Sequence, residues 1–315
     1  MKAKTEKTVV RNKIRKESMG ERAFDVFNVI FLLVASFIAI YPLWHVLCAS
    51  LSNASIISTK NSVLLYPLNV DGGFGITFDA YKQMFTHPLI LNAYGVTIFI
   101  VVAATVLNII MTAICAYVLS REKFMLKKFF TLMIMFTMFF NGGMIPTYIV
   151  YTKMLGLDNN LLVLIIPGAV SVYNMIIMRT NFESIPTALT EAASLDGAGH
   201  MRVLFQVVLP LSKAIIAVMV LYYGVTHWND WFQASIYIKD RTKLPLQMIL
   251  KEILIQNETN SLSGATTAAQ AADVADIGET IKYATIVFAT IPILCVYPFL
   301  QKYFTKGVMV GAVKG

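Results

Sequence analysis

The sequence predicts an all-α integral membrane protein with six membrane-spanning helices. Of its 315 residues, 57% are hydrophobic and only 14% are charged, and the mean hydropathy is +0.66. Because a soluble domain has about a quarter of its residues charged, this chain requires a solvent that accepts apolar surface. The apolar residues are gathered in six runs, which define the six predicted spans: 27–49, 89–119, 129–150, 161–178, 214–229 and 283–300.

The first three apolar runs differ in how continuous they are. The run at 27–49 has one ionisable residue, His45, and exceeds the 7–15-residue core of a signal peptide, which predicts a retained helix. The run at 89–119 is uncharged and long enough for a tilted helix that overruns the bilayer. The run at 129–150 contains Asn141-Gly142-Gly143 and Pro146, which indicates either a functional break or a loosened outer end of the span.

Basic residues are concentrated at alternate junctions between the runs. Residues 1–22 carry eight Lys or Arg against three Glu, and further basic residues lie in 121–128, 179–213 and 302–314. Because basic loops stay in the cytoplasm, both termini are expected there, with the connection 230–282 outside. This distribution favours contact with anionic lipid over nucleic acid. The predicted organisation is a basic tail, a six-span membrane domain with a cytoplasmic loop at about 180–210, and a second cytoplasmic tail, at 1–26, 27–303 and 304–315.

The sequence contains no pattern typical of catalysis or metal binding. Its cysteines, Cys48, Cys115 and Cys295, lie far apart in apolar runs, and its four histidines lack metal-ligand spacing. The middles of the six runs hold no Asp, Glu, Lys or Arg, which disfavours an ion-coupled carrier. Because no G-x-x-x-x-G-K-[ST] loop is present, uphill transport would need energy from another chain. The alternatives are a membrane receptor or scaffold that recruits a soluble partner, and an ATP-independent carrier.

A polar stretch at 191–210 separates the fourth and fifth runs. The preceding Ser184-Ile185-Pro186 is typical of a helix start, with a capping serine and a proline in the first turn. Residues 187–196 can then be helical, and Gly197 and Gly199 favour a left-handed helix end. About ten residues is too short to span lipid, so this helix is either a docking element for another protein or a surface link between spans. Its compact face is formed by Leu189, Ala192, Ala193 and Leu195.

The spacing within this stretch resembles a loop of bacterial ABC-importer permeases. That pattern is E-A-A, three residues, G, nine residues, a hydrophobic residue, one residue and L-P, matched here by Glu191, Ala192, Ala193, Gly197, Val207, Leu209 and Pro210. The YPL at 41–43, the WND at 228–230 and the tail at 307–315 resemble carbohydrate-uptake permeases of the maltose-transporter type. Residues 140–148 further resemble the subgroup paired with oligo- or polysaccharide-binding lipoproteins in Gram-positive bacteria.

The resemblance implies a type I, MetI-like permease fold of six helices, with no catalytic residue, metal or cofactor in this chain. Two permeases, expected to be a heterodimer, would form a path through the plasma membrane, two ATPase subunits would bind ATP and Mg, and an extracytoplasmic lipoprotein would deliver a sugar. The coupling helix would contact an ATPase subunit through a region that contains Glu191, Ala192, Ala193, Asp196, Gly197, Leu209 and Pro210. The tail would contact the ATPase through Gly311, Lys314 and Gly315.

Candidate residues for the sugar path follow the fifth run. Trp228, Asn229, Asp230 and Trp231 would stack on sugar rings or bond their hydroxyl groups, or the tryptophans would belong to an aromatic belt at the outer interface. The main sugar site of such importers can also lie in the partner permease. Polar residues within the spans would line a path or form interhelical hydrogen bonds, namely Asn108, Asn174 and Tyr173.

Overall fold

The chain folds as a bundle of helices, and the computed structural model describes it over residues 19–53, 56–57, 64–86, 89–122, 124–262, 281–296, 298 and 301. No named β-strand occurs in these ranges. The helices are α1 (Met19–Ser50), α2 (Asp79–Thr86), α3 (Ile90–Ser120), α4 (Lys127–Phe139), α5 (Met144–Met154), α6 (Val172–Glu183), α7 (Thr187–Leu195), α8 (His200–Leu211), α9 (Lys213–Trp228), α10 (Phe232–Tyr237), α11 (Leu246–Leu262) and α12 (Ile281–Val296).

Apolar helices lie at five of the six predicted positions, and the fourth, 161–178, is only partly helical. In the described part of the chain, α1 and α3 are each long and apolar enough to cross a membrane, and the bent pairs α4–α5 and α8–α9 each qualify when taken together. The predicted fifth span, 214–229, matches α9 to within a residue. The first helix already includes Met19, the first described residue, which lies inside the predicted tail 1–26. Of the 32 residues of α1, only Cys48, Ala49 and Ser50 are buried, so α1 offers its apolar surface to lipid or to a partner chain.

The third predicted span is broken, as its glycines suggest. The axes of α4 and α5 differ by 109°, and the chain turns between them at residues 140–143. Gly143 has a φ of +87°, a left-handed conformation that other residues rarely adopt. The last turn of α5, Val150–Met154, is π-helical. A single straight helix across 129–150 is therefore ruled out.

The fourth predicted span is not helical over its first half. Residues Leu161–Leu164 form a 3₁₀ turn, and regular helix resumes only at α6. Pro167 and Gly168 lie between the two, where a missing amide and a flexible residue oppose a continuous helix. Ser171 then starts α6 by accepting a hydrogen bond from the Asn174 amide. The prediction of a continuous helix over 161–178 was therefore wrong.

The long helix α3 is the centre of the bundle. It packs against α6 and α9, and its two halves belong to different buried clusters. One cluster includes Ile100, Trp228 and Leu246, and the other includes Ala116, Met178 and Leu204. We call the end of the bundle that carries Arg121, Lys127 and Arg179 the basic end, and the opposite end, where α3 begins, the distal end.

The predicted outer connection, 230–282, is partly structured. It contains α10, a 3₁₀ turn at Arg241–Lys243, and α11, whereas 263–280 lies outside the described residues. The first amide of α11, that of Leu246, donates to Thr97 Oγ1 on α3 at 2.7 Å. Asn159 connects this region to the loop after α5, because its Oδ1 accepts the amides of Lys239 and Asp240 at 3.1 and 3.0 Å. Both contacts fix the distal connection to the bundle.

Candidate functional site

The short helix α7 ends in a left-handed glycine turn. Gly197 has a φ of +83°. Its amide donates to the Ser194 carbonyl at 3.1 Å, and the Ala198 amide donates to the Ala193 carbonyl at 3.0 Å. These two bonds form a Schellman motif, whose left-handed residue costs about 1–2 kcal/mol when it is not glycine. A Cβ on Gly197 would meet no heavy atom of the described residues within 4 Å, so the backbone conformation is what requires glycine.

The start of α7 differs from the prediction. Ser184 does not cap α7: it follows the last residue of α6, and its Oγ donates to the Asn181 carbonyl at 2.7 Å. The residue before α7 is Pro186, whose fixed φ suits a helix start but whose side chain cannot accept a bond. The left-handed role predicted for Gly199 is also wrong, because this residue has a φ of −69° and precedes α8.

Arg121 attaches α7 to the end of α3. Its Nη1 donates to Thr190 Oγ1 at 3.3 Å, and Thr190 is buried. Its Nε donates to Ser120 Oγ at 3.3 Å, and its guanidinium lies 4.3 Å from the centre of the Tyr117 ring. The sequence reasoning used Arg121 only as a topology signal. Tyr117, one turn earlier, is the signal that could have indicated a structural role for Arg121, since arginine stacks well on aromatic rings.

The rest of α7 is open to its surroundings. Leu195 is 89% exposed and Leu189 is 46% exposed. Ala193 is half-buried, and the remaining predicted coupling residues of this segment are exposed: Glu191, Ala192, Asp196 and Gly197. An exposed leucine at the end of a rigid helix, beside small side chains, suits insertion into a groove on another protein.

A charged cluster connects α4 to α6 next to this helix. Glu183 Oε1 is 2.9 Å from Lys127 Nζ and 3.0 Å from Arg179 Nε, and Arg179 Nη1 donates to Thr131 Oγ1 at 3.2 Å. Burial by itself would raise the pKa of Glu183, but the hydrogen bonds and charges of Lys127 and Arg179 outweigh it and lower that pKa. The cluster therefore stabilises the ionised carboxylate and holds α4 beside the segment that enters α7.

Leu209 and Pro210 shape the corner between α8 and α9. Leu209 packs against the buried cluster at the basic end, whereas Pro210 is exposed. A proline inside a helix clashes with the carbonyl four residues earlier, and the preceding Leu204–Val208 is π-helical, which relieves such crowding. The axes of α8 and α9 then differ by 88°. These two residues set the direction of the chain.

A cavity of about 810 Å³, which we call the chamber, lies between α3, α6 and α9, and several polar side chains stand in its mainly apolar lining. Asn108, buried on α3, is joined to His227 on α9 by a 3.0 Å contact between Nδ2 and Nε2. Asp230 also lines the chamber, and its Oδ1 accepts the Gln233 amide at 3.1 Å. The chamber is further lined by Tyr173, Asn174, Tyr222 and Thr226. The structure thus brings Asn108, Asn174 and Tyr173 together in one cavity.

The four residues predicted for the sugar path are separated. Asp230 lines the chamber, but Trp228 is buried, and its Nε1 donates to the Ala289 carbonyl at 3.1 Å. Asn229 is exposed and donates to the Val225 carbonyl at 3.0 Å. Trp231 is half-buried beneath Lys251, whose Nζ lies 2.9 Å from the ring centre. The predicted tail contacts lie outside the described residues, namely Gly311, Lys314 and Gly315.

An apolar bundle with a cavity between its helices and a short exposed helix at one end is typical of the membrane subunit of a transporter. Residues 126–310 match the family described as binding-protein-dependent transport system inner membrane component. The chain belongs to this family. It is a membrane-embedded, non-catalytic permease subunit of an ABC importer, in which a separate ATPase subunit hydrolyses ATP, and it has the six-helix MetI-like fold. The predictions of fold, subunit type and membrane location are thereby confirmed.

The chain is similar over almost its full length to several known proteins. It is 40% identical to Protein LplC of Bacillus subtilis, over 93% of this chain and 96% of that one. It is 36% identical to the polygalacturonan/rhamnogalacturonan transport system permease protein YtcP of Bacillus subtilis, over 94% and 100%. A chain of a bacterial ABC transporter involved in the import of the acidic polysaccharide alginate superposes with a TM-score of 0.80, at 33% identity, over 91% and 99%.

Proposed function

We propose that this chain forms half of the translocation path for an oligosaccharide, and that α7 is the coupling helix through which a separate ATPase drives it. A second permease, expected to be a different chain, completes the path. Two ATPase subunits bind ATP and Mg, and an extracytoplasmic lipoprotein delivers the saccharide. The six-span domain occupies 27–303, between cytoplasmic tails at 1–26 and 304–315.

The observation that supports the coupling role is the way in which α7 is attached to α3. One side of this helix is bonded to α3 through Arg121 and Thr190, and its end is fixed by the Schellman turn at Gly197. Its open side presents Leu195, which is 89% exposed. A helix that is rigidly attached on one side and open on the other transmits a displacement instead of absorbing it. ATP-driven closure of the ATPase dimer would therefore move α7 and α3 together.

The saccharide class is supported by what the relatives carry. The names of two relatives specify polygalacturonan/rhamnogalacturonan and maltodextrin, and the structural relative belongs to an alginate importer. The chemistry of the chamber agrees with this class, because amides, a carboxylate and tyrosines bind hydroxyl-rich rings. Trp228 is not part of the path that we propose, since it is packed in the core. Asp230 remains its central residue.

The orientation that we propose places the basic end in the cytoplasm. Arg121, Lys127 and Arg179 lie at this end together with α7, and basic residues favour the cytoplasmic side of a membrane. The residues that we propose to contact the ATPase are Glu191, Ala192, Ala193, Asp196, Gly197 and Leu195 on α7 and its turn, with Gly311, Lys314 and Gly315 of the tail. Leu209 and Pro210 act by positioning α8.

Two glycines provide a matched test of the coupling role. Each leaves open space for a Cβ, but Gly197 has a φ of +83° and Gly199 one of −69°. The chain would be expressed with its partner permease and with candidate saccharide-importer ATPases, and both ATPase co-purification and saccharide uptake measured. We expect Gly197→Asp to abolish both and Gly199→Asp to retain both, because Asp is favoured at a helix N-cap. The proposal would be refuted if Gly197→Asp took up saccharide normally, or if no ATPase co-purified with the unmodified chain.

A further inference from the structure

The chamber lies near the middle of the membrane. Asn108 is twelve residues before the end of α3 at Ser120, which places it about 18 Å from the basic end along the helix. His227 is fourteen residues into α9, about 21 Å from Lys213, so the two residues meet at the same depth. The hydrocarbon core of a bilayer is about 30 Å thick. A cavity of about 810 Å³ at this depth has the size of a ligand site.

Asn108 has hydrogen-bonding capacity that the described residues do not use. One amide atom, Nδ2, contacts His227 Nε2, whereas Oδ1 is buried and has no hydrogen-bond partner in the described part of the chain. A buried polar atom without a partner destabilises a protein by about 1–3 kcal/mol. A sugar hydroxyl entering the chamber beside Asn108 is a donor that would satisfy it.

Two tyrosines give the chamber exposed aromatic surface away from the membrane interfaces. Tyr173 is 55% exposed and Tyr222 is 40% exposed. Each lies nine or ten helical residues from the basic end of its helix, at Glu183 for α6 and Lys213 for α9, which corresponds to about 14–15 Å. Interfacial aromatic belts occur at headgroup level, so this depth argues for ring stacking on a ligand.

The charge of the chamber distinguishes between saccharides. Asp230 is the one carboxylate among the described residues that line it, and Lys and Arg are absent from that lining. A uronate would bring a second carboxylate towards Asp230 in a medium of low dielectric, with no Lys or Arg among the described lining residues to balance it. A neutral sugar would instead donate hydrogen bonds from its hydroxyl groups to Asp230.

These observations, together with the proposed function on which the inference rests, point to a binding site in this chain itself. We propose that the chamber is a saccharide subsite for an uncharged sugar unit. Asn108 and Asp230 accept hydrogen bonds from the hydroxyl groups of this unit, and Tyr173 and Tyr222 stack on its ring. Asp230 sets the preference of this half of the path for neutral units.

The test measures equilibrium binding to the complete importer in nanodiscs, without the binding protein, so that only the path contributes. The probes are maltotriose, which is neutral, and trigalacturonic acid, which is anionic. We expect the unmodified importer to bind maltotriose at least tenfold more tightly. Asp230→Asn, which keeps an acceptor for the Gln233 amide, should reduce this ratio by about tenfold. Asn108→Leu should weaken maltotriose binding by about tenfold while ATPase co-purification is retained.

A matched control and an uptake assay separate the two proposals. Asp158→Asn removes a carboxylate outside the chamber, one that is paired with Lys239 at the distal end, and should leave the ratio unchanged. If the ratio does not move in Asp230→Asn, or maltotriose binding does not weaken in Asn108→Leu, the subsite is refuted even where the importer still takes up saccharide. Absence of saccharide uptake by the unmodified importer would refute the proposed function, and the subsite with it.

Discussion

The hydroxyl groups of Thr112 on α3 and Tyr223 on α9 are 2.6 Å apart in the buried interface of the two helices. The Tyr223 hydroxyl also accepts the amide of Ser171, the residue that starts α6, at 3.1 Å. One phenol therefore joins the three helices that surround the chamber. Because Thr112 is fully buried, its hydroxyl group cannot bond to water instead.

Removing that phenol should destabilise the bundle. Tyr223→Phe takes away both bonds, and each interhelical hydrogen bond in a membrane protein contributes about 0.6 kcal/mol, with an upper value near 1.7. We expect the free energy of unfolding to fall by about 1–2 kcal/mol in a mixed-micelle titration. Tyr222→Phe is the neighbouring control for stability, since the described residues provide no hydrogen bond to that hydroxyl. Equal stability of the two variants would contradict the role of Tyr223.

Replacing Arg121 should uncouple transport from ATP hydrolysis. Arg121→Gln loses the stack on Tyr117 and the charge-assisted bond to Thr190, so that α7 can move without α3. We expect the number of saccharide molecules transported per ATP in proteoliposomes to fall severalfold while the ATPase stays bound. Lys128→Gln removes an exposed cation at the same end and should preserve the ratio. A normal ratio in Arg121→Gln would show that α7 does not act through α3.

The cluster around Glu183 predicts a dependence of stability on pH. The pKa of this carboxyl is lowered in the folded chain, so its contribution is complete above the ordinary pKa of 4.5 and disappears as the pH falls through the lowered value. Glu183→Gln should reduce the unfolding free energy by about 1 kcal/mol at neutral pH, since partly exposed ion pairs are weak. The difference from the unmodified chain should vanish in acid below the lowered pKa. A difference that persists there would mean that charge is not its origin.

Asn159 should be required to hold the distal connection in place. It has a φ of +54° and accepts two backbone amides through its side chain. Asn159→Ala loses both bonds and forces an alanine into a left-handed conformation, whereas Asn159→Gly loses only the bonds. We expect the alanine variant to be less stable by about 1–2 kcal/mol than the glycine variant. Thermal unfolding of both variants measures this, and equal stability would show that the turn relaxes.

Hydropathy and charge predicted the parts of the fold that lipid determines. The continuous apolar runs became α1, α3 and α9, and the polar stretch became α7. Hydropathy alone did not predict where the fourth helix begins. Pro167 and Gly168 oppose helix formation, and α6 therefore begins only at Val172. Ser184 bonds backwards to α6, because a serine hydroxyl can serve either neighbouring helix.

Of the candidate sites, the one formed by consecutive residues was predictable from the sequence, and the one formed by distant residues was not. The short helix α7 followed from local composition, because its signals lie in consecutive residues. The chamber could not be assembled from the sequence, because Asn108 and His227 are 119 positions apart and meet only through the packing of α3 on α9. Trp228 and Asp230 are two residues apart, yet the end of α9 sends one into the core and the other towards the chamber.

The continuity of α3 has a consequence for the timing of the transport cycle. This helix of 31 residues, about 46 Å long, bears Arg121 just beyond its basic end, Asn108 at mid-depth and Thr97, the anchor of α11, near its distal end. Two predicted spans, 129–150 and 161–178, are interrupted by a bend or a non-helical segment, but no break occurs within α3. A tilt imposed at one end of α3 therefore moves Asn108 and Thr97 together. For the importer that we propose, we expect the signals that report docking of the binding protein, the change in shape of the chamber and closure of the ATPase dimer to show the same rate constant.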